Sequence, residues 1–138
     1  MNAFTSAQKE IASDMELRLQ IGLSRHCPIS YLEDCLSHFW GNKNFYSIDL
    51  YGDELAQPIE NFKGIYRRAK KEGLRLKAHV GEWGTAKDVR TVVEELELDE
   101  VQHGIAAVSD ESVIRFLADN KIRLNITPTS NILLGRVA

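Results

Sequence analysis

The sequence predicts an α/β protein in which about five strands alternate with helices. Short apolar or alternating runs begin near residues 17, 45, 74, 100 and 122, and a segment with helical periodicity follows each of them. This period of roughly 22 to 29 residues is typical of βα units with parallel strands. The chain of 138 residues is long enough for one domain over 1–138, but shorter than the roughly 250 residues of a closed eight-stranded barrel.

The five predicted strands cover residues 17–23, 45–50, 74–80, 100–103 and 122–127. The first and the last alternate between apolar and other residues, which is typical of a strand with one face against a core. A short helical stretch over residues 5–14 precedes the first strand.

The helix after the first strand has sequence signals at both ends. We expect it to open at Pro28, with Ser30 and Glu33 forming a capping box in its first turn. Gly41 suits the left-handed position that often follows a helix, so the helix is predicted to end there.

The remaining helices have similar signals. Pro58 is predicted to open the second helix and Gly73 to end it. The third begins near Thr85, and Ser109 and Asn120 are expected to cap the two ends of the fourth. The third helix has the clearest apolar face, formed by Val89, Val92, Val93 and Leu96.

This order of elements fits two architectures. A five-stranded, doubly wound sheet fits the length of the chain. A segment of a TIM barrel fits the period equally well, although it leaves three of the eight barrel units unaccounted for. Both architectures place their functional groups at the carboxyl ends of the strands.

Composition excludes several classes of protein. Hydrophobic residues make up 43% of the chain and charged residues 27%, as in ordinary soluble globular proteins. No apolar run approaches the ~20 residues that cross a membrane, and no secretory signal is visible. We therefore expect a cytoplasmic protein with Cys27 and Cys35 as free thiols. The net charge of −3 argues against nucleic acid as a partner.

Chemically active residues stand at the predicted carboxyl ends of the strands. His79 ends the third strand, and Glu82 follows it after a glycine. A metal-activated water needs an imidazole to hold the ion and a carboxylate to move protons. A strand-end histidine with a solvated glutamate is the alternative interpretation. His103 and Gly52 are weaker signals, since either can belong to an ordinary turn.

Taken in order, four segments resemble motifs of the adenosine deaminase family. Residues 49–54 resemble its Asp-Leu-x-Gly-Asp-Glu strand end. Residues 78–82 resemble its His-Ala-Gly-Glu motif, with Val in place of Ala. Residues 101–104 resemble its Gly-His-Gly motif, with Gln in place of the first Gly. Residues 127–131 resemble its Cys-Pro-Thr-Ser-Asn strand end, with Thr127 in place of Cys.

The resemblance implies a partial (β/α)8 TIM barrel of the metal-dependent hydrolase type, with zinc as cofactor. The implied reaction is hydrolytic removal of the 6-amino group from a purine nucleoside or nucleobase. By resemblance, His79 is a zinc ligand, and Glu82 protonates the ring nitrogen beside the reacting carbon. His103 orients or deprotonates the attacking water, and the backbone N–H of Gly52 contacts the purine ring.

The sequence departs from the family at its zinc ligands. The family places a His-x-His pair on its first strand, and two adjacent aspartates, one of them a ligand, on its last strand. Neither segment is found here, so we expect the chain to supply strands three to seven and one of four ligands, His79. A catalytic zinc site needs about three protein ligands, so we expect the isolated chain to lose zinc and to be inactive.

An alternative function is a non-catalytic binding or assembly module that retains the βα framework. An incomplete barrel leaves strand edges and an inner face uncovered, and such surfaces promote pairing with another chain. We therefore expect a homo-oligomer that forms through the open edges, residues 17–23 or 122–127.

Overall fold

A computed structural model describes residues 2–136 of the chain. Its five strands are β1 (Leu19–Ser24), β2 (Phe45–Tyr51), β3 (Arg75–Val80), β4 (Glu100–His103) and β5 (Arg123–Asn125). Its α-helices are α1 (Asn2–Ile11), α2 (Ile29–Ser37), α3 (Lys63–Lys71), α4 (Ala86–Leu96), α5 (Glu111–Asp119) and α6 (Pro128–Leu133). Two 3₁₀ turns, Ile59–Phe62 and Ile105–Ser109, precede α3 and α5.

The strands form one parallel sheet in the order β1-β2-β3-β4-β5. A doubly wound sheet reverses its strand order at a switch point, whereas a barrel adds each strand beside the previous one. The consecutive order therefore confirms the prediction of a partial (β/α)8 barrel with five parallel strands. The doubly wound alternative is wrong.

The two faces of the sheet differ in composition. Along β3, side chains alternate between half-buried and buried, which follows from the two-residue period of a strand. One face packs under the helices and is apolar, with Ile48, Leu76 and Val101 at its centre. The opposite face is polar: Asp49 is paired in register with Lys77, and Lys77 with Glu100.

Helix α4 follows its predicted pattern closely. Thr85 is the N-cap, and its side chain accepts a hydrogen bond from the backbone N–H of Asp88. The Asp88 carboxylate accepts the backbone N–H of Thr85 in return, which completes a capping box. The predicted apolar face, Val89, Val92, Val93 and Leu96, is buried.

Two predicted caps are wrong. Pro28 is itself the N-cap of α2, so Ser30 lies inside the first turn and makes no capping hydrogen bond. At α5 the cap is Asp110, whose carboxylate accepts the N–H of Ser112, rather than Ser109. Ser109 belongs to the preceding 3₁₀ turn, where its hydroxyl donates to the carbonyl of Ala106.

Several predicted boundaries also move by a few residues. Helix α2 ends at Ser37, and Gly41 (φ 77°) closes the turn after it. Pro58 is the N-cap of a 3₁₀ turn that leads into α3, so the predicted single helix has two parts. Asn120 is the C-cap of α5 with a negative φ, and Lys121 adopts the left-handed conformation.

Within residues 2–136, no helix is long and apolar enough to cross a membrane. Cys27 and Cys35 are free thiols, as expected.

Candidate functional site

The carboxyl ends of β3 and β4 bring three of the residues singled out in the sequence close together. The Glu82 carboxylate lies 3.5 Å from Nδ1 of His103, and both side chains are largely shielded from solvent. The imidazole rings of His79 and His103 are 5.4 Å apart between centroids. An acid, a base and a further nitrogen donor therefore share one edge of the sheet.

Gly52 lies at the end of the neighbouring strand β2 and is exposed. Its φ of +103° is open to glycine but strained for other residues. An added Cβ would come 3.3 Å from the ring of His26, in the loop after β1. Gly52 therefore presents bare backbone at the edge that carries Glu82, with His26 as its neighbour.

Buried Asp49 stands beside His79. Its Oδ2 lies 3.3 Å from Nδ1 of His79 and accepts a hydrogen bond from Gln20. Burial lowers the pKa of His79, but the Asp49 carboxylate outweighs that effect and the net pKa is raised. A carboxylate beside one ring nitrogen orients an imidazole and leaves the other nitrogen for a ligand. Within the described residues, the other oxygen of this carboxylate, Asp49 Oδ1, has no hydrogen-bond partner.

Asn131, from α6, joins the acid and the base. It is 1% exposed, and its side-chain amide donates to Oε1 of Glu82 at 3.1 Å. The same amide lies 3.5 Å from Nδ1 of His103, and the hydroxyl of Thr127 lies 3.2 Å from that nitrogen. The strand end over residues 127–131 therefore contributes to the site through Asn131 and Thr127.

The backbone of His103 is in the left-handed region, with φ 68°. Such a conformation costs a non-glycine residue roughly 1 to 2 kcal/mol, and it persists where the surrounding structure imposes it. Gly104 follows with φ 69°, and its N–H donates to the carbonyl of Val80. The chain therefore turns sharply at His103, which is typical of a strand end that presents a functional side chain.

The loop over residues 81–84 wraps around the carboxylate of Glu54, which is 6% exposed. Oε2 of Glu54 accepts the backbone N–H groups of Gly81 (2.7 Å) and Gly84 (3.3 Å). Oε1 accepts those of Glu82 and Trp83, both at 2.9 Å. A side chain from the loop after β2 thus binds the whole loop after β3.

Sequence reasoning assigned no role to Asp49, Glu54 or Asn131, although all three lie in the recognised motifs. Asp49 had one usable signal, because it stands between Ile48 and Leu50 in a buried strand, whereas Asn131 lies among exposed residues and had none. The role of Glu54 had no local signal, because its partners are backbone groups of residues 81–84.

The described residues do not make a complete metal site. Among residues 2–136, no three His, Cys, Asp or Glu side chains come together as a group that could hold a metal ion. A catalytic zinc site uses about three protein ligands. The zinc site that the resemblance implies is therefore only partly supplied by this segment.

Comparison with known proteins identifies the fold and the family. The family described as adenosine deaminase matches residues 1–138. The chain belongs to the adenosine deaminase family. A protein of Treponema pallidum, provisionally assigned as an adenosine/adenine deaminase, is 44% identical over 124 residues, which are 90% of this chain and 42% of that protein.

Solved structures agree with this family assignment. Adenine deaminase from Arthrobacter aurescens superposes with a TM-score of 0.86 at 26% identity, over 99% of this chain and 41% of that one. An amidohydrolase from Burkholderia ambifaria, crystallised with bound zinc, has a TM-score of 0.79 at 24% identity, over 94% of this chain and 37% of its own. The chain thus spans about two fifths of the length of its adenosine deaminase family relatives.

Proposed function

We propose that this chain forms the central part of the active site of a purine deaminase that removes a 6-amino group by hydrolysis. The observation that carries the proposal is the pairing of Glu82 with His103 at 3.5 Å, beside His79. Family membership and the adenine deaminase of similar fold support a purine as the substrate.

Glu82 is the proposed acid. A proton delivered to the purine ring nitrogen draws electrons from the adjacent carbon and makes that carbon open to attack by water. Asn131 donates to one Glu82 oxygen, which holds the carboxylate in place and leaves its second oxygen for the substrate. After the transfer, the carboxylate can stabilise the protonated ring.

His103 is the proposed base. Thr127 and Asn131 both lie against Nδ1 of its ring, which leaves the other nitrogen for taking a proton from the attacking water. Gly52 contributes its backbone N–H to the purine, and the lack of a side chain allows close approach. The acid, the base and the purine contact then come from three successive βα loops.

We propose His79 as one zinc ligand, oriented by Asp49. At least one further ligand has to come from outside residues 2–136, because these residues form no three-ligand group. The chain alone is therefore expected to lose zinc on dialysis and to show no deamination. Elemental analysis measures the zinc content, and the absorbance change as adenosine becomes inosine measures deamination. Both are compared between the 138-residue chain and a longer chain with the remaining ligands. Robust turnover with one zinc per isolated chain would contradict this account.

Glu82→Gln tests the proposed acid in such a longer chain. The amide keeps the shape of the side chain but cannot donate a carboxyl proton, so turnover should fall at least ~10²-fold. Zinc content should stay unchanged, because Glu82 is not a proposed ligand. Glu33→Gln, on the exposed side of α2, is the matched control and should keep normal turnover. Near-normal turnover in the Glu82 variant would remove Glu82 from the mechanism.

The alternative function, an assembly module, is favoured by the exposed apolar residues beside the open edges of the sheet. Val108, in the 3₁₀ turn after β4, is 77% exposed, and Leu133, in α6 after β5, is 81% exposed. We propose that the chain forms homo-oligomers through these edges. Light scattering over a concentration series should show dimers or larger species, whereas a monomer at high concentration would contradict the proposal.

A further inference from the structure

We propose that Glu54 is a positioning residue that sets the direction of Glu82, an inference that rests on the proposed role of Glu82 as the acid. Four consecutive backbone N–H groups, those of residues 81–84, converge on the Glu54 carboxylate. Their directions fix the peptide planes on either side of Glu82. The direction of the Glu82 side chain follows from those planes.

A carboxylate is the side chain best suited to these donors. It has two oxygens and about four lone-pair sites, and hydrogen bonds to it are roughly twice as strong as neutral ones. Successive N–H groups that curve towards one point form an anion-binding concavity. Without the carboxylate, the N–H of Gly81 in particular would be left buried and unpaired, which is costly.

Other contacts hold the ends of the loop, and the carbonyl and side chain of Glu82, but not the N–H groups of Glu82 and Trp83. At the start, a Cβ on Gly81 would come 2.4 Å from Val89, so the backbone packs directly on α4. At the end, the Thr85 capping box fixes the first turn of α4. Arg136 donates to the carbonyl of Glu82, and Asn131 holds its side chain. Among the described contacts, Glu54 alone binds the N–H groups of both Glu82 and Trp83.

The loop that carries Glu54 is itself bound to the loop after β1. The side-chain amide of Gln57 donates to the carbonyls of Arg25 and Cys27, in the loop after β1. The buried guanidinium of Arg25 donates back to the carbonyl of Gln57. The loop after β1 is therefore bound to the loop after β2, which in turn binds the loop after β3 through Glu54.

Glu54→Gln is the first test, because the amide matches the size of the carboxylate but loses its charge and half of its acceptor capacity. In the 138-residue chain, hydrogen exchange of the amides of Glu82 and Trp83 should become at least ~10-fold faster. Exchange of the Val101 amide, in the sheet, should change only by the shift in global stability. In a Trp40→Phe background, Trp83 emission reports the same loop, since Arg136 stacks on its ring at 4.4 Å.

Turnover separates positioning from stability in a longer, active chain. Glu54→Gln should lower kcat at least ~10-fold with KM within ~3-fold, because a displaced acid impairs the reaction more than binding. Glu100→Gln is the matched control: it neutralises another buried carboxylate, at the opposite end of the sheet, and should keep kcat. Equal kcat losses in the two variants, compared at equal folded fraction, would overturn the proposal.

A second variant keeps the proposal testable if Glu54→Gln does not fold. Gly84 has no positive φ, and an added Cβ would meet Oε2 of Glu54 at 2.9 Å and, less closely, the Asp88 carboxylate at 3.1 Å. Gly84→Ala therefore pushes the carboxylate away without changing charge, and exchange at Glu82 should again accelerate. Unchanged exchange in a folded variant would overturn the role of Glu54. Unchanged turnover in Glu82→Gln would instead overturn the proposed function. Hydrogen exchange would then still show whether Glu54 holds the loop over residues 81–84.

Discussion

The two ends of the polar sheet face differ in how many partners their buried carboxylates have. At the amino end, Glu100 is 3% exposed and surrounded by partners. Its carboxylate contacts four donor side chains, those of Arg75, Lys77, Arg123 and Asn125. At the carboxyl end, the buried carboxylate of Asp49 retains one oxygen, Oδ1, without a hydrogen-bond partner in the described chain.

This difference indicates that the buried charges at the amino end serve stability and that those at the carboxyl end serve chemistry. Burial raises the pKa of Glu100, but Asn125 and Lys77 more than offset it, so its pKa lies below the usual value. A carboxylate so fully compensated has little capacity left for a substrate. In barrels of this type, the amino end of the strands stabilises the fold and the carboxyl end carries the active site.

The largest expected effect of a substitution comes from Gly81→Ala, at the carboxyl end. The new Cβ would meet Val89 at 2.4 Å, in a backbone with φ +76°. Overpacking and left-handed strain together should cost about 3 kcal/mol of unfolding free energy. Gly73→Ala is the matched control, because φ is +79° there and nothing lies within 4 Å. If urea denaturation showed equal losses of unfolding free energy in the two variants, the close contact with α4 would contribute nothing to the cost of Gly81→Ala.

Glu100→Gln should have a smaller effect, about 2 kcal/mol at neutral pH, because the amide leaves basic side chains without their carboxylate. The folded-state pKa of Glu100 is lowered. Its charge therefore stabilises the fold above the unfolded value near 4.3, and this contribution disappears as pH falls through the lower folded value. The stability difference between wild type and variant should shrink below about pH 4. If the stability difference between wild type and variant grew on acidification, the stabilising role of the Glu100 charge would be contradicted.

Asp49→Asn should have the smallest effect on stability and a specific effect on His79. The Asp49 carboxylate raises the pKa of His79 against the opposing effect of burial. Without that charge, the pKa of His79 should fall, which NMR titration of the zinc-free chain would measure. An unchanged His79 pKa would show that Asp49 does not act on the ring.

The sequence predicted what depends on local pattern and on order along the chain. Strand–helix alternation predicted the sheet, and the motif order placed His79, Glu82 and His103 at one edge. Contacts that depend on the register between strands had no local pattern. Glu54 illustrates this limit, because its four partners become neighbours only when β2 and β3 pair.

The same limit applies to the polar face of the sheet, whose composition was not predicted. The residues at the centre of this face are Asp49, Lys77 and Glu100. Alternation shows that a strand has two different faces, but it does not show which face the helices cover. The pairing of opposite charges across neighbouring strands is visible only in the folded register.

The central claim is that the buried charged groups at the carboxyl end of the sheet serve chemistry, whereas those at the amino end serve stability. The most direct measurement compares Glu82→Gln and Glu100→Gln in one active, longer chain, with kcat for adenine or adenosine and unfolding free energy measured for both. The account predicts a kcat loss of at least ~10²-fold with little change in stability for Glu82, and the reverse for Glu100. Comparable losses of kcat in both variants, or a kcat loss confined to Glu100, would contradict it.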